Sequence, residues 1–193
     1  MSTQKQLWLL AGGNGAGKST FYRTQLQPLG MPFVNADNIA REVFPDNPEA
    51  HSYQAAAIAE NMRNELLAEG RSFCFETVFS HPSKIDFMAS AKALGYEVVL
   101  VFIYLDSPAL HKARIHQRTT EGGHAVPEDK VETRLPRTFE NMKTAIQLAD
   151  KAFLLDNSDN EQPFILQAKL INGALAGPEI PMPDWVLNLL RES

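Results

Sequence analysis

One stretch constrains this chain more than any other. Gly12-Gly13-Asn14-Gly15-Ala16-Gly17-Lys18-Ser19 follows directly on the apolar run Gln6–Ala11. It fits the pattern of a glycine, any four residues, then Gly-Lys-Ser/Thr. The glycines let the backbone curl until several N–H groups point at one spot. An anion fills that spot, helped by the positive end of the helix that follows. Lys18 reaches the outer phosphates as a point charge, and the Ser19 hydroxyl suits Mg²⁺. At ordinary glycine frequencies a chain of this length matches by chance on the order of one time in a hundred. A strand before the match and a helix after it reduce that further.

The rest of the chain alternates strand and helix signals. Gln6–Ala11 reads as a buried strand and Lys18–Gln27 as a helix stopped by Pro28 and Gly30. Pro32–Asn35, Ser72–Phe79, Tyr96–Leu105 and Lys151–Leu155 read as strands. Asn38–Phe44, His51–Glu69, Ser83–Leu94 and Ser107–Thr120 read as helices, and a further helix runs from Pro127 towards Asp150 with a kink or break at Pro136. Phe164–Ile171 reads as an added edge strand turned at Asn172-Gly173, and Trp185–Leu190 as a short docking helix. The expected fold is α/β: a three-layer αβα sandwich of the P-loop NTPase kind. Its sheet is mostly parallel and five-stranded, with an added C-terminal edge strand and a helical lid. No repeat or linker interrupts the chain, so residues 1–193 read as one domain. The lid spans about 107–149 and a C-terminal extension about 160–193.

A phosphate loop alone does not distinguish a kinase from a GTPase. The chain lacks the Asn-Lys-x-Asp reader of guanine, and it offers the parts that phosphoryl transfer needs. Asp37 follows the second strand, where a carboxylate either takes a proton from a substrate hydroxyl or caps the next helix. Glu76 emerges from the apolar Phe73-Cys74-Phe75 and needs a partner, such as water-bridged magnesium or a substrate hydroxyl. Asp106 competes for the metal role but precedes Ser107-Pro108, a helix entry. Arg114 and Arg118 share one helix face, and Arg134 and Arg137 another. With the loop Gly122-Gly123-His124 between them they read either as a lid that brings guanidinium groups onto phosphates or as a solvated hairpin. A lone loop histidine such as His124 carries no role by itself. His51, His81, His111 and His116 show no metal-ligand spacing, so no zinc site is assigned.

Composition removes several classes. The net charge of −5 argues against a broad nucleic-acid surface. The one cysteine, Cys74, lies in an apolar run and reads as a core residue. No segment is long and apolar enough for a bilayer, and no signal pattern opens the chain, so a cytoplasmic protein is expected.

Five stretches together resemble the bacterial zeta-toxin family. They are Ala11–Thr20, Asn35-Ala36-Asp37, Phe75-Glu76-Thr77, Gly122-Gly123-His124-Ala125-Val126-Pro127-Glu128 and Asp156-Asn157-Ser158. The order and spacing match from about residue 7 to residue 158. The resemblance implies ATP-dependent phosphorylation of a UDP-amino sugar, typically UDP-N-acetylglucosamine, with an antitoxin protein as partner. It implies ATP and Mg²⁺ held by Gly12–Thr20, Asp37 as base, Arg118 as a phosphate-binding lid residue, and Glu60, Glu76 and Thr77 at the substrate. Asn157 would lie near the adenine. Two departures stand out. Val78 replaces a substrate-contacting threonine of some members, which opens the choice of substrate. His124 stands where others carry a lid arginine, which shifts phosphate contact towards Arg134 or Arg137.

Overall fold

The fold was analysed in a computed structural model that describes residues 4–120, 128–177 and 181–191; for 108, 117–120 and 128–132 it describes the backbone alone. Its strands are β1 (Gln6–Ala11), β2 (Phe33–Val34), β3 (Phe73–Thr77), β4 (Glu97–Tyr104), β5 (Lys151–Asp156), β6 (Ile165–Ile171) and β7 (Ala174–Leu175). Its helices are α1 (Lys18–Phe21), α2 (Ala36–Val43), α3 (Ser52–Ala68), α4 (Ser83–Ala93), α5 (Pro108–Thr120), α6 (Glu128–Leu148) and α7 (Asp184–Leu190).

The described strands form one sheet in the order β2-β3-β1-β4-β5-β6-β7. The first five are parallel, as the βαβ alternation of the sequence requires, and β6 and β7 add antiparallel to β5. Side-chain alternation along the strands makes two cores. Leu7, Leu9, Phe73, Phe75, Leu100 and Leu154 face α3, α4, α6 and α7. Leu10, Cys74, Val101, Ile103 and Leu155 face the opposite way, towards Ala16, Leu26 and Leu110. The result is the three-layer sandwich.

Four local details differ from the sequence reading. The helix after the phosphate loop turns from α into a π segment at Tyr22–Leu26 and a 3₁₀ turn at Gln27–Leu29. The Thr24 hydroxyl donates back to the Thr20 carbonyl there, competing with the regular ladder. α2 begins at Ala36, ahead of the expected Asn38, because Asn35 caps it: its Oδ1 accepts from the N–H groups of Asp37 and Asn38. α6 runs through Pro136 without interruption. β6 is not the edge of the sheet. Asn172 (φ 50°) and Gly173 (φ 77°) make a tight left-handed turn that folds β7 onto it.

Candidate functional site

The site grows from the central strand. β1 lies between β3 and β4, and its parallel pairing sets Leu10 opposite Glu76 and Ala11 opposite Thr77. The C-terminal ends of these strands open on the same side, at the crevice where open α/β sheets hold ligands. The chain leaves β1 into Gly12–Gly17 and enters α1 at Lys18.

Only glycine fits the tightest points of that loop. At Gly12 (φ 146°) a Cβ would lie 2.4 Å from the Ile103 carbonyl oxygen, so the loop sits directly on β4. At Gly17 (φ 99°), the residue before α1, a Cβ would lie 2.5 Å from Asn157 Nδ2. Lys18 is buried, and its Nζ donates to the carbonyls of Gly12 and Gly13 at 3.0 Å each, which holds the ammonium across the loop.

Two side chains brace the loop from behind. Asn157 is buried; its Nδ2 donates to the Ala16 carbonyl at 2.8 Å and its Oδ1 accepts from Phe164 N–H. Both ends of that amide are engaged, so Asn157 shapes the loop. His111 on α5 is 1% exposed, and its Nδ1 lies 2.6 Å from the Asn14 carbonyl oxygen. A carbonyl only accepts, so Nδ1 carries the proton. Burial pushes the His111 pKa below its ordinary value; the Asn14 contact opposes this, and the charges of Lys18 and Arg114 add to it.

In front of the loop is a groove of about 1000 Å³. Asn14, Gly15, Gly17, Lys18, Ser19 and Thr20 form one wall, and Asp37, Glu60, Glu76, Thr77 and Arg134 line the remainder. The Ser19 hydroxyl donates to Glu76 Oε2 at 2.6 Å. Asp37 is exposed in the first turn of α2, and Asn35 performs the capping that Asp37 had been a candidate for. Thr77 Oγ1 accepts from Phe79 N–H, so it also shapes the turn after β3. Gly12, Gly13 and Ala16 are buried behind the groove surface. Arg114 lines the groove and donates to Asn160 Oδ1, whereas Arg137 is exposed and absent from the lining. His124 and the side chain of Arg118 lie outside the described residues. Asp106 is exposed, and Ser107 caps α5 by accepting from Leu110 N–H.

Oxygen donors are what a hard cation selects. The Ser19 hydroxyl and the Glu76 carboxylate together fit Mg²⁺ held mainly by water and phosphate. Among the described residues no group of three or more His, Cys, Asp or Glu side chains could form an all-protein cage. No described helix is long and apolar enough to cross a membrane.

Sequence reading missed part of this lining. Arg63 and Lys84 reach the groove, as does Tyr22, which stacks on Phe33 at 3.9 Å. A signal for Arg63 was present: Ala55, Ala59, Arg63 and Leu67 form the buried stripe of α3 at helical spacing, with a cation in third place.

Residues 7–140 match the family described as AAA domain. An uncharacterised protein of Haemophilus influenzae is 31% identical over 138 residues, covering 68% of this chain and 98% of its own length. Among solved structures, a chain of the PezAT chromosomal toxin–antitoxin system of Streptococcus pneumoniae is similar at a TM-score of 0.63 and 16% identity, over 80% of this chain and 69% of its own. The AvrRxo1-ORF1:AvrRxo1-ORF2 complex with sulphate ions is similar at 0.72 and 17% identity, over 98% of this chain. The same complex with ATP is similar at 0.63 and 17% identity, over 91%. This chain spans 64% and 61% of the AvrRxo1 chain in those two structures. The shared architecture is the P-loop kinase-like fold.

Proposed function

The chain belongs to the AAA domain family, and from its site we propose that it is an ATP-dependent phosphotransferase with an alcohol as acceptor. One observation carries this reading: a single groove is lined both by Lys18 and Ser19 of the phosphate loop and by Asp37, whose carboxylate is uncommitted among the described residues. About 1000 Å³ is ample for the phosphates of a nucleotide and a small acceptor together. The absence of a guanine reader favours ATP, and ATP is a ligand of the similar AvrRxo1 complex.

Each residue has a part in one displacement. The loop amides and Lys18 hold the outer phosphates. Ser19, with Glu76 behind it, would hold Mg²⁺, which when bound neutralises charge on the phosphate oxygens. Asp37 orients the acceptor hydroxyl and takes its proton. The acceptor oxygen bonds to the γ-phosphorus, the bond from that phosphorus to the bridging oxygen breaks, and ADP leaves with the electron pair. Arg118 and Arg134, on the helices of a lid spanning about 107–149, steady the moving phosphoryl group. Thr77 and Glu60 position the acceptor, with His124 of the lid loop. The chain acts as one domain, with about 160–193 as its C-terminal extension.

The finer reading is a UDP-amino sugar such as UDP-N-acetylglucosamine as acceptor, with an antitoxin protein as restraint, in the cytoplasm. Support comes from the motif resemblance and from likeness to a chain of a toxin–antitoxin system. The test is incubation of purified protein with Mg-ATP and a panel of UDP-sugars and other small alcohols, read by mass spectrometry. Gain of one phosphoryl group on a UDP-amino sugar is expected. Transfer only to a different alcohol would remove the UDP-sugar, and transfer to none, with ATP left intact, would contradict the phosphotransferase.

A further inference from the structure

Arg63 occupies an unusual place for an arginine. It is 8% exposed, within the buried stripe of α3. Its guanidinium carbon lies 5.0 Å from the centre of the Phe75 ring and 5.7 Å from that of Phe87. Ring faces attract the charge but accept none of its five N–H bonds in good geometry. Nε has no hydrogen-bond partner, and among the described residues Arg63 makes no ion pair. A buried cation left in this state is costly.

A second cation stands beside it. Lys84, in the first turn of α4, is half-buried and among the described residues finds only the Ser83 hydroxyl, at a long 3.4 Å. Burial pushes its pKa down, the Arg63 charge pushes it further, and Glu60 opposes both. Burial likewise lowers that of Arg63, against Glu60. Glu60 is near enough to act on both charges yet closes no ion pair with either. Arg63 and Lys84 line the same groove as Glu76, Thr77 and Ser80, beyond the phosphate loop. Two partly desolvated like charges without a direct counter-ion, opening on one groove, are the chemistry of an oxyanion subsite.

We infer that Arg63 and Lys84 form an oxyanion-binding subsite in the acceptor part of the groove, so that the phosphate acceptor is an alcohol carrying a carboxylate or phosphate group of its own. The claim about the acceptor rests on the phosphotransferase reading; the ion site rests on these side chains alone. The guanidinium of Arg63 is placed by two rings that stand at 88° to each other, and its planar fork is suited to meet two oxygens at once. Lys84 adds a movable charge, and Glu60 keeps the empty site from excessive positive potential.

The test uses the full chain saturated with Mg-ADP, so that the phosphate loop is filled. Inorganic phosphate is titrated calorimetrically, and acetate in a second arm. Binding of at least one ion is expected. Arg63→Met should weaken it by about 10-fold or more, as loss of a charge-assisted bidentate contact does. Lys84→Met, at a half-exposed position with little bearing on folding, should also weaken it, Arg63→Lys should retain part of it, and ADP affinity should not change. Phosphate binding with weak acetate binding assigns the phosphate-bearing acceptor; the reverse assigns the carboxylate. No binding of either ion to wild type, or equal binding by both Met variants, overturns the subsite. The same titration on Lys18→Ala, with its loop disabled, separates the two claims. Arg63-dependent ion binding there, with no ADP affinity in wild type, would remove the phosphotransferase and leave the ion site standing.

Discussion

The Ser19 hydroxyl donates to a Glu76 carboxylate oxygen at 2.6 Å, tying the start of α1 to the strand beside β1. The contact follows from register, since Glu76 faces Leu10 one residue before the end of β3. If Glu76 orders the metal's shell through Ser19, Glu76→Gln should raise the Mg²⁺ concentration for half-maximal turnover by about 10- to 100-fold. Ser19→Ala should do the same, and nucleotide affinity without metal should stay near wild type. A fall in rate with an unchanged Mg²⁺ requirement would place Glu76 on the acceptor instead.

Asn157 spans the gap between the phosphate loop and the segment after β5. Removing its amide in Asn157→Ala leaves the buried Ala16 carbonyl and the Phe164 N–H without that partner. The expected loss is about 1–3 kcal/mol of stability in a denaturant titration. Nucleotide affinity should fall as well, because the loop loses the support beside Gly17. Unchanged stability would show that water replaces the amide at no cost.

His111 gives the fold a dependence on pH. Its folded-state pKa is depressed, chiefly by burial, from an ordinary value near 6.5. Below that value the unfolded chain takes up a proton that the folded chain refuses, so protons bound are greater in the unfolded state. Stability therefore rises with pH across the window from the depressed pKa up to about 6.5, and is lost as pH falls through it. His111→Asn keeps a donor for the Asn14 carbonyl and removes the titration. Thermal melts between pH 7 and pH 5 should show a smaller decline in the variant than in wild type. Parallel declines would remove His111 as a source.

Much of this architecture could be read before any coordinates. The phosphate loop announced itself because its chemistry is local: consecutive glycines and Lys-Ser dictate the curl and the charge. The mostly parallel sheet covered on both faces followed from apolar runs with helices between them; the order of the strands in space did not, because it rests on pairings between distant segments. What escaped depended on contacts distant in the chain. His111, near the start of α5, braces Asn14 from 97 residues away, and Asn157, just past the end of β5, reaches Ala16 from 141. A loop arginine or histidine carries no pattern that reveals where a lid will place it. The start of α2 was misplaced because Asn35 and Asp37 are both good caps, and only the backbone geometry chooses between them.

The central claim is that Lys18 and Asp37 serve opposite sides of one displacement, Lys18 the nucleotide and Asp37 the acceptor. The most direct measurement is transfer of the γ-phosphoryl group to the acceptor identified in the panel, beside calorimetric ATP affinity, for Lys18→Ala and Asp37→Asn. Lys18→Ala should lose nucleotide affinity and transfer together. Asp37→Asn should bind Mg-ATP as wild type does while transfer falls by about 10²- to 10⁴-fold, the usual contribution of a positioned base. Undiminished transfer by Asp37→Asn, or ATP affinity untouched in Lys18→Ala, would contradict the account.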